Sequence, residues 1–242
     1  MPRFFIDYAP AVGDSVPLTG PDARHIAGAL RMTVGEALTL CDGKGMDYAC
    51  TLTAVDKETV TAMVDSVAPT ASEPSLAVTL YMGLPKGDKL ELIIQKAVEL
   101  GVTAIVPVVT ARSIARVEGK DAEKKRTRWQ RIAAEAAGQS GRGIIPTVET
   151  PITFKQALPR LAAENTLLCY EGGGQPIGNL VSPADTALSL VVGPEGGFDP
   201  AEVAAVTAGG GRIATLGPRI LRCETAPLAA LAVVMERSGN MV

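Results

Sequence analysis

The chain has 242 residues, of which 47% are hydrophobic, and this composition supports a sizeable folded core and argues against a disordered chain. No apolar run approaches the roughly 18 residues that a membrane-spanning helix needs. Asp7 and Asp14 interrupt the N-terminal segment, so it has no apolar region of the kind found in secretion signals. We therefore expect a soluble, cytoplasmic protein.

The net charge of −3 is unusual for a protein that binds a polyanion, but the charge is unevenly distributed. Residues 1–70 contain 5 basic and 9 acidic side chains, whereas residues 86–142 contain 12 basic and 7 acidic ones. Any surface that binds nucleic acid must therefore be a limited basic region of the protein.

The four cysteines show neither the spacing of a zinc site nor that of a redox motif. Cys41, Cys50, Cys169 and Cys223 are far apart, and the chain has a single histidine. We interpret them as small buried thiols and expect no metal.

The first seventy residues have the pattern of a small β domain. Strands are predicted at 3–6, 37–41, 48–55 and 59–64, separated by turn-forming residues. One helix is predicted at 21–31, where apolar residues recur at helical spacing. The pattern favours a small barrel.

A stretch with two prolines and small polar residues, 67–75, interrupts this pattern. We place a domain boundary there, giving predicted domains at 1–70 and 71–242.

Beyond the boundary, strands and helices alternate, which is typical of an α/β sheet with parallel strands. A strand at 76–82, a helix at 88–100 and a strand at 104–109 form a βαβ unit. The apolar residues predicted on one face of this helix are Leu90, Ile93, Ile94, Ala97 and Val98. The later predicted elements are helices at 121–138 and 153–163 and strands at 166–171, 187–193 and 212–216.

Several neighbouring residues each predict the start of the same helix. Asp199 is a good N-cap residue, Pro200 suits the first helical position, and Glu202 completes a capping box. Phe198 can pack against Val203 across the cap. The preceding glycine-rich turn is therefore held between a strand and a helix.

Three unusual loops follow predicted strands, at 171–174, 193–198 and 216–226. In an open α/β sheet, ligands bind beyond the carboxyl ends of the strands, and glycines let a nucleoside approach the backbone closely. Each loop taken alone favours a simple tight turn, but three such loops together argue against that interpretation. The phosphate-binding motifs of common ATPases and dehydrogenases are absent from the sequence.

The chain resembles, over nearly its whole length, the bacterial 16S ribosomal RNA uracil-N3 methyltransferases of the SPOUT superfamily. The two most specific matching segments are 193–198 and 216–226. Further matching segments are Arg3-Phe4-Phe5, His25, Leu30-Arg31, 86–91, 95–102, Arg112-Ser113, Arg128-Trp129 and 135–142.

The resemblance implies a PUA-like β-barrel domain followed by a SPOUT α/β domain with a mostly parallel sheet and a deep trefoil knot. It also implies a homodimer that uses S-adenosylmethionine to methylate N3 of uridine 1498 in 16S ribosomal RNA of the small subunit. The residues that match the family's cofactor loops are Tyr170, Gly172, Gly193, Pro194, Glu195, Gly196, Gly197, Leu216, Gly217, Ile220, Leu221 and Arg222.

Methylation at N3 is helped if the imide proton leaves and a cation stabilises the negative charge on the uracil oxygens. Our candidate for the cation is Arg222, and our candidate proton acceptors are Glu195 and Glu224, with Glu195 preferred. Alternatively, Arg222 and Glu224 pair with each other or cap the final helix.

A set of basic residues is expected to contact RNA, although each of them also suits a solvated charge. Its members are Arg3, Arg24, His25, Arg31, Lys86, Lys89, Arg112, Arg116 and Arg142. Trp129 is expected to pack in the core or at a dimer interface. A non-catalytic RNA-binding or ribosome-assembly protein with the same fold is the alternative function, but the intact glycine loops argue against it.

Overall fold

The computed structural model describes residues 1–115, 117 and 119–241. The chain forms two compact units. The first contains Met1–Glu73 and Ala137–Ile145, and the second contains Pro74–Ala136 and Pro146–Val242. The first unit therefore includes a segment that is remote from it in sequence, in addition to the region predicted as the β domain.

The first unit is built on a five-stranded sheet with the order β1-β3-β4-β5-β2. Its strands are β1 (Arg3–Phe5), β2 (Ser15–Thr19), β3 (Ala37–Cys41), β4 (Met46–Val55) and β5 (Thr59–Pro69). All pairs are antiparallel except β1 with β3. Strand β2 was not predicted, because it is short and contains Pro17. This proline is tolerated because β2 lies at the edge of the sheet.

The predicted helix at 21–31 is shorter than expected. A short helix, α1 (Gly20–Arg24), continues into a wider π-type turn at His25–Ala29. Gly28, a poor helix former, lies in this turn, and Arg31 ends the segment with a φ of 54°. Ile26 is fully buried in the turn and joins the core of the unit.

The remote segment of the first unit is fixed by one partly buried carboxylate. Glu73 accepts hydrogen bonds from the backbone N–H groups of Gly143, at 2.9 Å, and Ile144, at 3.1 Å. It also forms an ion pair with Arg142 at 2.7 Å, and the Arg142 side chain is only 4% exposed. The prediction that Arg142 contacts RNA is therefore wrong, because its guanidinium is buried in a structural contact.

The second unit contains an eight-stranded sheet in which every pair of strands is parallel. The order is β11-β13-β10-β12-β6-β7-β8, with β9 also paired to β7. The strands are β6 (Ala77–Gly83), β7 (Ala104–Val109), β8 (Thr147–Val148), β9 (Ile152–Thr153), β10 (Thr166–Cys169), β11 (Gln175–Pro176), β12 (Ala187–Val192) and β13 (Arg212–Thr215).

The helices of this unit include the three predicted at 88–100, 121–138 and 153–163, each of which is confirmed to within two residues. The helices are α2 (Lys89–Glu99), α3 (Gly119–Gln139, which ends in the first unit), α4 (Phe154–Ala163), α5 (Pro200–Ala208) and α6 (Ala226–Arg237). On α2, the five residues predicted on one face are all buried. Trp129 on α3 is 4% exposed, which supports its predicted role in packing.

The predicted start of α5 is confirmed in detail. The Asp199 carboxylate accepts from the backbone N–H of Ala201 at 3.0 Å, and Glu202 accepts from the backbone N–H of Asp199 at 3.0 Å. Phe198 is 2% exposed and packs in a cluster that Val203 borders. The turn before α5 is thus anchored at its C-terminal end.

Candidate active site

The register of the parallel sheet aligns the strand ends from which the three loops at 171–174, 193–198 and 216–226 emerge. Cys169 at the end of β10 is paired with Val192 at the end of β12 and with Ala214 near the end of β13. Val192 is also paired with Met82 of β6. The three loops therefore begin side by side at the carboxyl edge of the sheet, as predicted.

The loops enclose a cavity of about 480 Å³, a volume within the range of small-molecule sites. Ten of the twelve residues predicted to bind the cofactor line it, and so do all three catalytic candidates. Gly172 and Gly196 are the two that do not. Further lining residues are Lys89, Cys169, Glu171, Val192, Phe198, Thr215, Pro218, Arg219, Cys223 and Ala226.

The turn at 193–197 depends on close backbone approaches that only glycine permits. A Cβ atom on Gly83 would lie 2.3 Å from the Pro194 ring and 2.5 Å from its backbone nitrogen. Gly197 has a φ of +66°, and a Cβ there would lie 2.6 Å from a carboxylate oxygen of Glu171. The turn is therefore packed tightly between β6 and the loop after β10.

Gly172 shapes the cavity without lining it. A Cβ on Gly172 would lie 2.2 Å from the ring of Tyr170, so the glycine lets this ring pack against the backbone. Tyr170 itself lines the cavity. The match of Gly172 to the family's loop thus reflects the placement of an aromatic neighbour.

Two neighbouring loops hold the turn at 193–197 in place. From the loop after β6, the Lys86 backbone N–H donates to the Glu195 carboxylate at 3.2 Å and the Lys89 ammonium donates to it at 2.9 Å. From the loop after β7, the Arg112 guanidinium donates to the Gly196 carbonyl at 3.1 Å. The turn is thus fixed from two sides.

Lys89 also reaches the third loop. Its ammonium lies 3.5 Å from the Glu224 carboxylate and 3.8 Å from the Cys223 sulfur. The Cys223 thiol donates to Glu224 at 3.2 Å. The structure therefore places Lys89, which the sequence analysis assigned to RNA contact, at the cavity, where it bridges two of the cofactor loops.

The protonation states follow from these contacts. Burial opposes ionisation of Glu195, but hydrogen bonds from Lys89 and from backbone N–H groups outweigh it, so its pKa is lowered. The hydrogen bond from Cys223 lowers the pKa of Glu224, and the bond to Glu195 raises the pKa of Lys89. Burial raises the pKa of the Cys223 thiol to about 12. Near neutral pH the cluster thus holds two carboxylates, one ammonium and a neutral thiol.

Arg222 lies at the cavity with an exposed side chain. Within the described part of the chain its guanidinium has no ion-pair partner, and Glu224 pairs with Lys89 instead, so the alternative that Arg222 pairs with Glu224 is wrong. The Arg222 carbonyl accepts from the backbone N–H groups of Thr225 and Ala226, which begin α6. The side chain is therefore positioned by a helix start and available to a ligand.

The basic residues predicted to contact RNA have different environments. Arg3 forms a two-fold hydrogen bond with Asp47, at 2.5 and 2.7 Å, and its side chain is 15% exposed, so it acts as a structural cation. Arg24 is exposed with a loose contact to Glu58 at 3.9 Å. His25 packs edge-on against the Phe4 ring, with ring centroids 5.8 Å apart.

Arg31, Lys86 and Arg112 are exposed residues, as an RNA contact requires. Arg116 lies outside the described residues. The prediction for Arg3 is not supported, because its guanidinium is already satisfied by Asp47.

Two expected absences concern metals and membranes. Within the described ranges, no group of histidine, cysteine and acidic residues could hold a metal ion. In the same ranges, none of the helices is both long enough and apolar enough to cross a bilayer.

The cavity fits S-adenosylmethionine on three counts. Its volume suits a nucleoside with a short side chain, and its glycine turns present backbone groups that can hydrogen-bond a base and a ribose. Apolar side chains, among them Leu216, Ile220 and Leu221, can cover a planar ring. Carboxylates of Glu195 and Glu224 suit a ligand that carries a sulfonium cation.

Comparisons with known proteins agree with this geometry. A family model of the RNA methyltransferase domain matches residues 72–235, and one of the RNA methyltransferase PUA domain matches residues 18–64. The chain is 39% identical to ribosomal RNA small subunit methyltransferase E of Bacillus subtilis, over 97% of this chain and 96% of that protein.

Solved structures give the same result. Ribosomal RNA small subunit methyltransferase E of Neisseria gonorrhoeae, bound to S-adenosylmethionine, is 38% identical, covers 98% of this chain and 97% of its own, and has a TM-score of 0.88. A protein of Legionella pneumophila in complex with the same cofactor is 30% identical, with a TM-score of 0.85 and coverage of 97% and 96%.

These matches confirm the predicted fold class, a SPOUT α/β-knot domain with a mostly parallel sheet that follows a small PUA-like β domain. They also confirm the cofactor. The chain therefore belongs to the ribosomal RNA small subunit methyltransferase E family, whose members methylate ribosomal RNA with S-adenosylmethionine as the methyl donor.

Proposed function

We propose that this enzyme methylates N3 of uridine 1498 in 16S ribosomal RNA, with the cavity at the carboxyl edge of the sheet as its cofactor site. The observation that carries the proposal is the convergence of three loops, two of them glycine-rich, on one cavity that also holds Arg222 and two carboxylates. When bound, S-adenosylmethionine would supply a methyl group on a sulfonium, and neutral S-adenosylhomocysteine would be the leaving group when a nucleophile takes that methyl group. The protein's task is to align N3 with that methyl group and to exclude water.

Binding of the cofactor is assigned to the residues of the three loops. Tyr170 directly precedes the first loop, Gly193 to Gly197 lie in the second, and the third contributes Leu216, Gly217, Ile220 and Leu221. Their backbone groups are held in place by packing and by hydrogen bonds from outside the turn. Little reorganisation is needed when a ligand enters, which favours affinity.

Arg222 stabilises the negative charge that develops on a uracil oxygen as N3 loses its proton. Its exposed guanidinium has no competing ion pair within the described part of the chain, and a guanidinium can donate two parallel hydrogen bonds. A preorganised donor of this kind contributes about 10² to 10³ in rate.

Glu195 is the proposed acceptor of the N3 proton, with Glu224 as the second candidate. The Glu195 side chain is 30% exposed at the cavity and that of Glu224 is 22% exposed. Their lowered pKa values keep both carboxylates ionised at neutral pH, so either can accept a hydrogen bond from N3–H.

RNA binding is assigned to exposed basic residues of each unit, acting mainly through phosphates. In the first unit these are Arg24, His25 and Arg31, and in the second they are Lys86 and Arg112. We further propose that the enzyme works as a homodimer in the cytoplasm, where small ribosomal subunits are found.

The decisive experiment replaces Arg222 with alanine. We expect the affinity for S-adenosylmethionine to change by less than about threefold, while turnover on undermodified small-subunit RNA falls by about 100-fold, because only the charge-stabilising donor is lost. Arg131→Ala, on the exposed face of α3, is the matched control. Near-normal turnover of Arg222→Ala would remove this residue from the proposed role.

The site of methylation needs its own measurement. Mass mapping of 16S ribosomal RNA from cells that lack the protein should show the loss of one N3-methyluridine. An unchanged uridine with a different missing methyl group would overturn the assignment to N3.

Salt dependence tests the RNA-binding surface. Phosphate contacts release counterions, so RNA affinity should fall steeply with salt while cofactor affinity changes little. A flat RNA response would contradict a surface of basic residues.

The alternative is a non-catalytic RNA-binding or assembly protein that keeps the fold. Calorimetric titration separates the two functions, since binding of S-adenosylmethionine and S-adenosylhomocysteine is required only by the enzyme. No heat with either ligand would favour the alternative.

A further inference from the structure

The carboxylates at the cavity share one cation. Lys89, the first residue of α2, contacts Glu195 of the second loop at 2.9 Å and Glu224 of the third loop at 3.5 Å. Within the described ranges, no other side-chain cation lies within ion-pair distance of either carboxylate. The two loops are separate segments of the chain, and the Lys89 ammonium links them through these two ion pairs.

The ammonium is held by a rigid element. Lys89 begins a helix whose Leu90, Ile93 and Ile94 are all buried, so its backbone cannot shift without disturbing the core. The loop before this helix contributes a second contact to the Glu195 carboxylate, because the Lys86 backbone N–H donates to it at 3.2 Å. Lys89 thus provides a fixed point to which both loops attach.

We propose that Lys89 is a positioning residue for methyl transfer, which holds the two cofactor loops together and sets the charge that the cavity presents to a cationic ligand. This inference rests on the proposed assignment of the cavity to S-adenosylmethionine. With two carboxylates and one ammonium, the cluster carries a net charge of −1. The role is separate from the RNA contact that the sequence analysis assigned to Lys89.

The two natural ligands report the two parts of this role separately. S-adenosylhomocysteine lacks the sulfonium charge, so its affinity depends mainly on the order of the loops. S-adenosylmethionine carries that charge, so the ratio of the two affinities depends on the charge of the cluster. A unit charge within several ångströms changes such a ratio by about fivefold at an intermediate effective dielectric constant.

The test measures both affinities by calorimetry for the full-length wild type and for Lys89→Met. We expect the variant to bind S-adenosylhomocysteine about tenfold more weakly, because the loops lose their common anchor. The ratio of S-adenosylmethionine affinity to S-adenosylhomocysteine affinity should rise about fivefold, because the cluster becomes more negative. High salt should reduce the change in the ratio.

Further variants sharpen the result. Glu195→Gln should lower the ratio about fivefold, since it removes one negative charge, and the double variant should return the ratio close to that of the wild type. Lys89→Arg should restore most of both properties. Lys96→Met, which removes a lysine paired with Glu99 on the same helix, should change neither.

The outcomes are distinguishable. If Lys89→Met does not fold, Glu195→Gln and Glu224→Gln carry the test, because both predict a lower ratio. If Lys89→Met bound both ligands with unchanged affinity, the role of Lys89 would be overturned. The same would follow if no charge variant altered the ratio of S-adenosylmethionine affinity to S-adenosylhomocysteine affinity. Either result would leave the cofactor site intact. A wild type that binds neither ligand would overturn the proposed function itself, and this inference with it.

Discussion

At the carboxyl edge of the eight-stranded sheet, glycine turns surround a cavity. The charged side chains there hold the loops that line this cavity. At the amino edge of the same sheet, polar side chains satisfy one another. The Tyr81 hydroxyl donates to Glu164 at 3.2 Å, and Ser189 also bonds Glu164. One edge is arranged for binding and the other for stability.

The Arg160 guanidinium reinforces the amino edge. Arg160 forms two hydrogen bonds with Glu149, at 2.9 and 2.7 Å, and its guanidinium lies 5.6 Å from the centre of the Tyr81 ring. Burial raises the pKa of Tyr81 to about 12, so its hydroxyl stays protonated and remains a donor. Changes at the two edges should therefore affect different measurements.

The largest expected effect is at the carboxyl edge, from Gly83→Ala. The new methyl group would overlap the ring and backbone of Pro194, so the turn at 193–197 must shift. We expect turnover to fall by about 100-fold, as a displacement of about 1 Å can cause, and stability to fall by about 1–3 kcal/mol from overpacking. Cofactor affinity, turnover and chemical denaturation measure these effects.

Gly28→Ala is the matched control, because a Cβ there meets no described atom within 4 Å. Normal turnover in Gly83→Ala would show that the close packing of the turn against β6 is not needed for catalysis.

A smaller effect at the same edge is expected from Arg112→Ala. Loss of its hydrogen bond to the Gly196 carbonyl, about 1 kcal/mol, should weaken cofactor binding about fivefold. If Arg112 also contacts a phosphate, the slope of RNA affinity against salt should fall by about one.

Calorimetry and RNA titration, compared with Arg131→Ala, separate the two roles of Arg112. An unchanged cofactor affinity with a reduced salt slope would assign Arg112 to RNA alone.

At the amino edge, Tyr81→Phe removes one hydrogen-bond donor and leaves the ring in place. We expect the free energy of unfolding to fall by about 1 kcal/mol, while cofactor affinity stays within the error of the measurement. Tyr8→Phe, at an exposed position, serves as the control. A clear loss of cofactor affinity in Tyr81→Phe would show that the two edges are coupled.

The smallest effect concerns pH. The hydrogen bonds from Arg160 lower the pKa of Glu149 below its ordinary value of 4.5, so the pair stabilises the fold above that value, and the contribution is lost as the pH falls through the lowered pKa. Both side chains are about one third exposed or more, so we expect less than about 1 kcal/mol.

Glu149→Gln should therefore be less stable than the wild type near neutral pH and equally stable in acid below the lowered pKa of Glu149. Glu123→Gln, in an exposed pair on α3, is the control for chemical denaturation across this range. A stability difference that persists in acid would contradict the assignment to Glu149 ionisation.

Local signals in the sequence predicted much of this molecule. The capping box at Asp199 and Glu202 and the apolar face of α2 were correct because the interactions that decide them lie within a few residues. The carboxyl-edge loops were correct because parallel strands bring their ends to one edge. The π-type turn at His25–Ala29 was missed because apolar spacing does not distinguish it from an α-helix. Strand β2 was missed because it is short, contains Pro17 and pairs with the distant β5.

The sequence by itself determined the order of the main strands and helices, the glycine loops and the resemblance to the family. Only the tertiary structure decided which charges are available for binding. Arg3 and Arg142 pair with Asp47 and Glu73, and Lys89 reaches Glu195 and Glu224. The reason is physical: the role of a charged side chain depends on the opposite charges that the fold brings within about 4 Å of it, and sequence spacing does not encode those distances.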